Sequence, residues 1–167
     1  VEEVNGSSFS VFKRKVFIQP GLRYSQAKSL LKVLLDQVGI KILPLRIRKI
    51  LEEKLTHDIK GRMLEEIVLY NTSLVYPETF KIKFPIGEYD MVVLKDDQSE
   101  LYEIKYSKEQ SQFQTRFLKN QDYIDVIERA YYHIGKKVVL YRGKTQSIDG
   151  VDYLNVEEYL NSLTMEY

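Results

Sequence analysis

The chain has 167 residues, a net charge of +1 and no cysteine. That length suits one domain with an appendage, or two very small ones, and is enough to bury a core. The charge balance gives no overall pull toward nucleic acid, so such a role needs a local basic patch; the missing cysteines exclude disulfides, thiolate zinc sites and cysteine nucleophiles together.

No apolar run approaches the ~20 residues of a membrane span, and Val1-Glu2-Glu3-Val4 has neither the basic nor the apolar region of a signal peptide. A cytoplasmic protein with no membrane segment is the expectation. Because the first residue is Val rather than Met, the chain reads as part of a longer protein with a domain upstream.

Residues 1–20 read as extended, with Phe9, Val11, Val16 and Ile18 partly alternating with polar residues, until Pro20-Gly21 turns the chain. Ser25 is placed to cap a helix whose stripe is Ala27, Leu30, Leu31, Leu34, Leu35 and Val38, with Gly39 at its end. Pro44 opens a second helix, with Leu45, Ile47, Ile50, Leu51 and Leu55 inward. Residues 1–55 are thus expected to form an extended segment and a small helical subdomain, and 56–167 the main domain. A third helix spans roughly Asp58 to Asn71. Strands follow at 79–84, at Glu88–Leu94 and at Leu101–Tyr106, the last two joined by a hairpin turn at 95–99. A helix from about Gln114 to Tyr132, ended by Gly135, leads to a buried strand at Lys137–Tyr141; a short strand at Val151–Leu154 and a helix at Val156–Leu163 close the chain. The order is mixed α/β rather than strict βαβ alternation.

One constellation carries chemistry. Asp90 stands on an apolar strand, and 13 residues later Glu103-Ile104-Lys105 lies on the next. Strand alternation points Glu103 and Lys105 one way and Ile104 the other, and a hairpin brings Asp90 beside them. Unpaired, each buried charge costs several kcal/mol, and a Mg²⁺ or Mn²⁺ ion resolves the excess because it takes carboxylate oxygens together with water and phosphate. Lys105 could then orient the attacking water or stabilise the transition state. The plainer reading is a cross-strand ion pair of Asp90 or Glu103 with Lys105. The preceding helix adds Gly61, which costs about 1 kcal/mol there against alanine and so suggests close approach to a neighbouring backbone. Glu65, four residues on, shares nearly its face. A helical wheel instead puts Glu66 nearest the centre of the apolar arc, and either glutamate could be the helix carboxylate.

The run Gly61-x-x-x-Glu65, Asp90, Glu103-x-Lys105 in an α-β-β-β-α-β order resembles the PD-(D/E)XK nuclease superfamily, and Lys60-Gly61-x-x-x-Glu65 is similar to archaeal Holliday-junction resolvases. A wider likeness covers Phe17-Ile18-Gln19-Pro20-Gly21-Leu22-Arg23-Tyr24, Gly61 to Glu65, Glu88 to Val92, Tyr102 to Ser107, Val139 to Gly143 and Leu154 to Leu160. These segments resemble the C-terminal region of prokaryotic AAA-type ATPases that carry a DUF4143-like nuclease-fold domain behind the ATPase module. The resemblance implies a restriction-endonuclease-like core and Mg²⁺ or Mn²⁺ held by Asp90, Glu103, the Ile104 carbonyl and Glu65, in preference to Glu66. It implies Asp90, Glu103 and Lys105 as the residues that hydrolyse DNA phosphodiesters. An inactive module of the same fold, binding DNA or a protein and regulating the ATPase, is the alternative. The chain has no G-x-x-x-x-G-K-[ST] motif, so ATP would belong to the upstream domain, itself an expected partner.

His57 reads as a solvated or capping residue, with assistance at the helix start as the other option, and His133 as a structural residue near a helix C-terminus, where a cation is favoured. Gln114 and Arg116 could reach a phosphate. Lys13, Arg14, Lys15, Arg23 and Tyr24 read as a solvated face or a contact to the missing domain, with a DNA-facing patch as the other option. A third reading is a plain dimerisation domain, a homo-oligomer with helices 25–38 and 44–55 as its interface.

Overall fold

Two tight reversals set the register of the sheet. Lys95 pairs with Gln98 across Asp96 and Asp97, both at positive φ (52° and 57°), and Ile148 pairs with Val151 across Asp149 and Gly150, at 51° and 77°. Left-handed backbone at both loop positions matches the twist of the flanking strands, and Asp and Gly tolerate it. The computed structural model describes residues 2–4, 7–12, 45–85, 87–110 and 115–164. Among these, eight strands form one sheet: β1 (Glu2–Val4), β2 (Ser7–Phe12), β3 (Thr79–Phe84), β4 (Gly87–Lys95), β5 (Gln98–Ile104), β6 (Ile134–Tyr141), β7 (Gln146–Ile148) and β8 (Val151–Asn155). Their spatial order is β1-β2-β3-β4-β5-β6-β8-β7. β1 to β5 pair antiparallel in succession, β5 with β6 and β6 with β8 pair in parallel, and β7 returns antiparallel at the edge.

The chain is therefore mixed α/β. Its helices are α1 (Leu45–Val75), α2 (Gln121–Ala130) and α3 (Val156–Thr164). They lie on opposite faces of the sheet, as strand alternation requires of a two-sided core. On one face Val68 and Leu69 of α1 and Val156 of α3 pack with Met91, Val93, Tyr102, Ile104, Val138 and Leu140. On the other, Ile124, Val126 and Ile127 of α2 pack with Phe80, Ile82, Tyr89, Val92, Leu101 and Val139. The Thr72 and Tyr159 hydroxyls, 2.9 Å apart, tie α1 to α3.

Where sequence and structure part, local causes account for it. The expected helices 44–55 and 58–71 are one helix of 31 residues. The junction is Thr56-His57, two residues that each cost only tenths of a kcal/mol in a helix and cannot stop it. The division at 55 and 56 falls inside α1. The expected helix at 25–38 lies outside the described residues, as do Val16 and Ile18. The helix expected from Gln114 begins at Gln121, because the Asn120 side chain accepts the N–H groups of Asp122 and Tyr123 and caps it. Gly135 does not end that helix. It lies in β6, where a Cβ would stand 2.2 Å from Gln98 Oε1, so its role is close approach of a cross-strand side chain.

The turn from β8 into α3 depends on Asn155. Its Oδ1 accepts from Glu157 N (3.0 Å) and Glu158 N (3.1 Å), and its Nδ2 donates to the Gly143 carbonyl at 2.8 Å. Asn155→Ala is expected to lower stability by about 1–2 kcal/mol in chemical denaturation, with Asn155→Asp retaining the cap and losing less. Equal stability of all three proteins would contradict this role.

Candidate metal and phosphodiester site

A β-bulge builds the site. Ile82 pairs with Tyr89 but Phe80 pairs with Val92, so β4 holds one residue more than β3 over this stretch. Tyr89 and Val92 pack on the α2 face while Met91 packs on the other. Asp90 and Met91 therefore both stand against Lys81, and such an insertion bends a strand and re-aims its side chains. On the other side of β4 the ladder to β5 stops at Met91–Tyr102. One position further, the Ile104 N–H donates to Asp90 Oδ2 at 2.8 Å. β5 keeps its other neighbour, since Lys105 N donates to the Leu140 carbonyl of β6 at 2.8 Å. One strand is thus held from one side and released from the other, and the gap is filled by carboxylates.

Asp90 and Glu103 are each only 4% exposed. Glu103 Oε2 lies 3.6 Å from Lys105 Nζ, while its Oε1 is buried with no hydrogen-bond partner among the described residues. On the far side of Asp90 stand Glu65 of α1 and Glu88 of β4. One carboxylate oxygen from each of Glu65, Glu88 and Asp90 lies within 4.8 Å of the others, so these three could hold a metal ion. Lys81 of β3 bridges two of them, 3.4 Å from Glu65 Oε2 and 3.1 Å from Glu88 Oε1.

The electrostatics follow from this crowding. Burial, then the charge of Asp90, pushes the Glu65 carboxyl up to about 7 against the pull of Lys81. Burial raises Asp90 despite the Ile104 N–H and Lys105. Burial and the neighbouring Asp90 charge raise Glu103 well above the ordinary carboxyl range, with Lys105 opposing. Burial works against the ammonium of Lys105, yet Asp90, Glu103 and Glu65 outweigh it and raise its pKa. Among the described residues four carboxyl groups thus face two ammonium groups, and Glu103 Oε1 meets no N–H donor, its neighbour being the Asp90 carboxyl. A divalent cation fits that donor set, since hard cations take carboxylate oxygens.

The structure brings together Asp90, Glu103 and Lys105, and it brings Glu65 to Asp90. Glu103 adjoins Asp90 and Lys105 but is not among the three acids that converge within 4.8 Å. Ile104 reaches Asp90 through its N–H, and its side chain lies in the core beside α1 and α3. Two residues escaped the sequence reading. Glu88 stands two positions before Asp90, a spacing that strand alternation makes suspicious. Lys81 was visible as a polar position of an alternating strand, but its partners come from the bulge.

The remaining candidates have other surroundings. His57 lies edge-on to Tyr106 (centroids 5.3 Å apart), and Lys60 and Arg142 approach the same ring at 5.8 and 4.3 Å. His133 Nδ1 is 3.2 Å from Glu128 Oε2. Arg116 approaches the Phe117 ring at 5.8 Å. Gln114, Lys13, Arg14, Lys15, Arg23 and Tyr24 lie outside the described residues. Gly61 does not serve close packing: among the described residues nothing comes within 4 Å of a Cβ placed there. No described helix is long and apolar enough to cross a membrane.

No family model, no curated protein and no solved structure matches the chain.

In ion-free protein Glu65, Asp90 and Glu103 hold their protons more tightly folded than unfolded. Their stabilising contribution is complete at low pH and is lost as pH rises through the folded values, for Glu65 between 4.5 and about 7. Stability measured in denaturant with a chelator present is expected to fall from pH 5 to pH 8. Glu65→Gln should make the fall shallower, and Mn²⁺ should offset it. A flat or rising profile in chelator would contradict the crowding.

Proposed function

We propose that the chain is a PD-(D/E)XK nuclease-type module that hydrolyses DNA phosphodiester bonds with Mg²⁺ or Mn²⁺, as the C-terminal part of an AAA-type ATPase. The observation that carries the reading is the convergence of Asp90, Glu103 and Lys105 where β4 and β5 separate, with Glu65 arriving from the preceding helix. The order α1-β3-β4-β5-α2-β6 supports it, being the α-β-β-β-α-β succession that the motif resemblance implies.

Glu65, Glu88 and Asp90 would hold the ion, with Glu103 beside them through Asp90. When bound, a divalent ion lowers the pKa of a coordinated water and offsets charge developing on the phosphate. Hydrolysis joins a water oxygen to phosphorus as one ester oxygen leaves. Lys105 is paired on one side by Glu103 and has 41% of its side chain exposed, so its ammonium can reach a phosphate oxygen or the incoming water. Asp90 has a structural share as well, since its carboxylate holds the Ile104 N–H and with it the direction of Glu103 and Lys105.

One observation favours a second reading. Lys81 already pairs with Glu65 and Glu88, so the chain supplies a cation of its own where a metal would sit. A module of the same fold that binds DNA or a protein without cleaving it, and regulates an upstream ATPase, is consistent with that arrangement.

Cleavage of plasmid, single-stranded and branched DNA with Mg²⁺ or Mn²⁺ separates the two. The nuclease reading expects metal-dependent cutting that falls at least about 100-fold in Lys105→Ala and in Glu103→Gln. Cutting that is equal in wild type and Lys105→Ala would sink the assignment, and DNA binding without cutting would favour the second reading.

A further inference from the structure

Resting on the metal-site reading above, we propose that Lys81 is a built-in competitor for the metal: its ammonium holds Glu65 and Glu88 in the ion-free protein and must leave them before a divalent cation is bound. The geometry is specific. Lys81 Nζ stands 3.4 Å from one glutamate and 3.1 Å from the other, and these are two of the three acids whose oxygens converge. An ammonium and a divalent ion cannot share those oxygens at close range, because two like charges a few ångströms apart in a partly dry site repel strongly.

A second, independent feature points to a cation beyond Lys81. Glu103 is buried (4% exposed) beside Asp90, the third acid of the cluster, and its Oε1 has no hydrogen-bond donor among the described residues. Lys81 does not reach it. Lys105 pairs only with the other oxygen. Among the described residues Lys81 and Lys105 compensate the site on two flanks and leave Glu103 Oε1 without a cation.

The bulge explains why Lys81 holds this post. It sets one residue of β3 against two of β4, so Lys81 faces Asp90 and Met91 together, between the helix that carries Glu65 and the strand that carries Glu88. Its side chain is 26% exposed, which leaves a path by which the ammonium can swing toward solvent or toward an anionic group of the substrate. A phosphodiester offers such a group. Metal and substrate phosphate would then bind with mutual assistance, because the ammonium freed by one is a partner for the other.

Two experiments test this, both without nucleic acid. Mn²⁺ alone is titrated by calorimetry into wild type, Lys81→Met and Lys81→Arg at pH 8. Lys81→Met is expected to bind Mn²⁺ about ten-fold more tightly than wild type, and Lys81→Arg to stay close to wild type. Unchanged or weaker binding by Lys81→Met, with wild type binding normally, overturns the competition and leaves the metal site standing. No binding by either protein overturns both. The second experiment uses wild type only, so it does not depend on how the variants fold. Acylation of lysines by an amine-reactive ester, read by mass spectrometry, is expected to rise at Lys81 when Mg²⁺ is added, with exposed Lys83 on the same strand unchanged. Equal labelling of Lys81 with and without Mg²⁺ overturns the inference.

Discussion

The Asp90 carboxylate accepts the Ile104 N–H at the point where β4 and β5 stop pairing. A strand leaving its neighbour exposes a row of backbone donors and acceptors, and burying them unpaired costs free energy comparable to a lost hydrogen bond each. Asp90 meets that demand with a side chain instead of a backbone carbonyl. The separation can therefore persist inside the fold rather than at a frayed end. On the other flank β6 holds β5 through the Lys105 N–H, so Glu103 and Lys105 are aimed from rigid backbone. The bulge opposite Lys81 makes the same accommodation on the β3 side.

The arrangement concentrates negative charge where water is scarce. Glu65, Asp90 and Glu103 all respond to burial first; the charge of Asp90 comes second for Glu65 and Glu103, while the Ile104 N–H opposes the rise at Asp90, and each holds its proton more tightly on balance. Such crowding is costly in a site meant only to be stable, since apolar residues of similar volume would serve as well or better. Perturbed carboxyls gathered with lysines where strands diverge mark a candidate functional site. Lys81 and Lys105 divide the compensation between them: one covers the helix-side acids and the other covers Glu103. Both ammonium groups keep a path to solvent, with 26% of the Lys81 side chain and 41% of the Lys105 side chain exposed.

Much of this was readable in the residues. Thr79–Phe84 alternates so regularly that its strand bounds coincide with those in the structure, and Asp149-Gly150 marks its turn outright. Asp90, Glu103 and Lys105 were legible because strand alternation fixes which side chains share a face. Three things were not. The continuity of α1 through Thr56-His57 rests on the absence of a breaker, which periodicity does not display. Asn120 decides where α2 begins, yet it stands within a polar stretch whose composition does not single it out. The partnership of Lys81 with Glu65 and Glu88 depends on one inserted residue in β4, and a bulge leaves no mark that separates Glu88-Tyr89-Asp90-Met91 from an ordinary strand. A single-residue slip moves side chains between faces, so the place of Glu88 in the acidic cluster was beyond reach although Glu65 and Asp90 were not.

The central claim is that the acids around the β4 bulge form a site for a divalent cation. A crystal structure of the chain soaked in Mn²⁺, with the metal located by its anomalous scattering, tests it most directly. The account predicts a peak bounded by the carboxylates of Glu65, Glu88 and Asp90, with the Lys81 ammonium withdrawn from both glutamates. No peak at that position, with Lys81 still paired to Glu65 and Glu88, would contradict it.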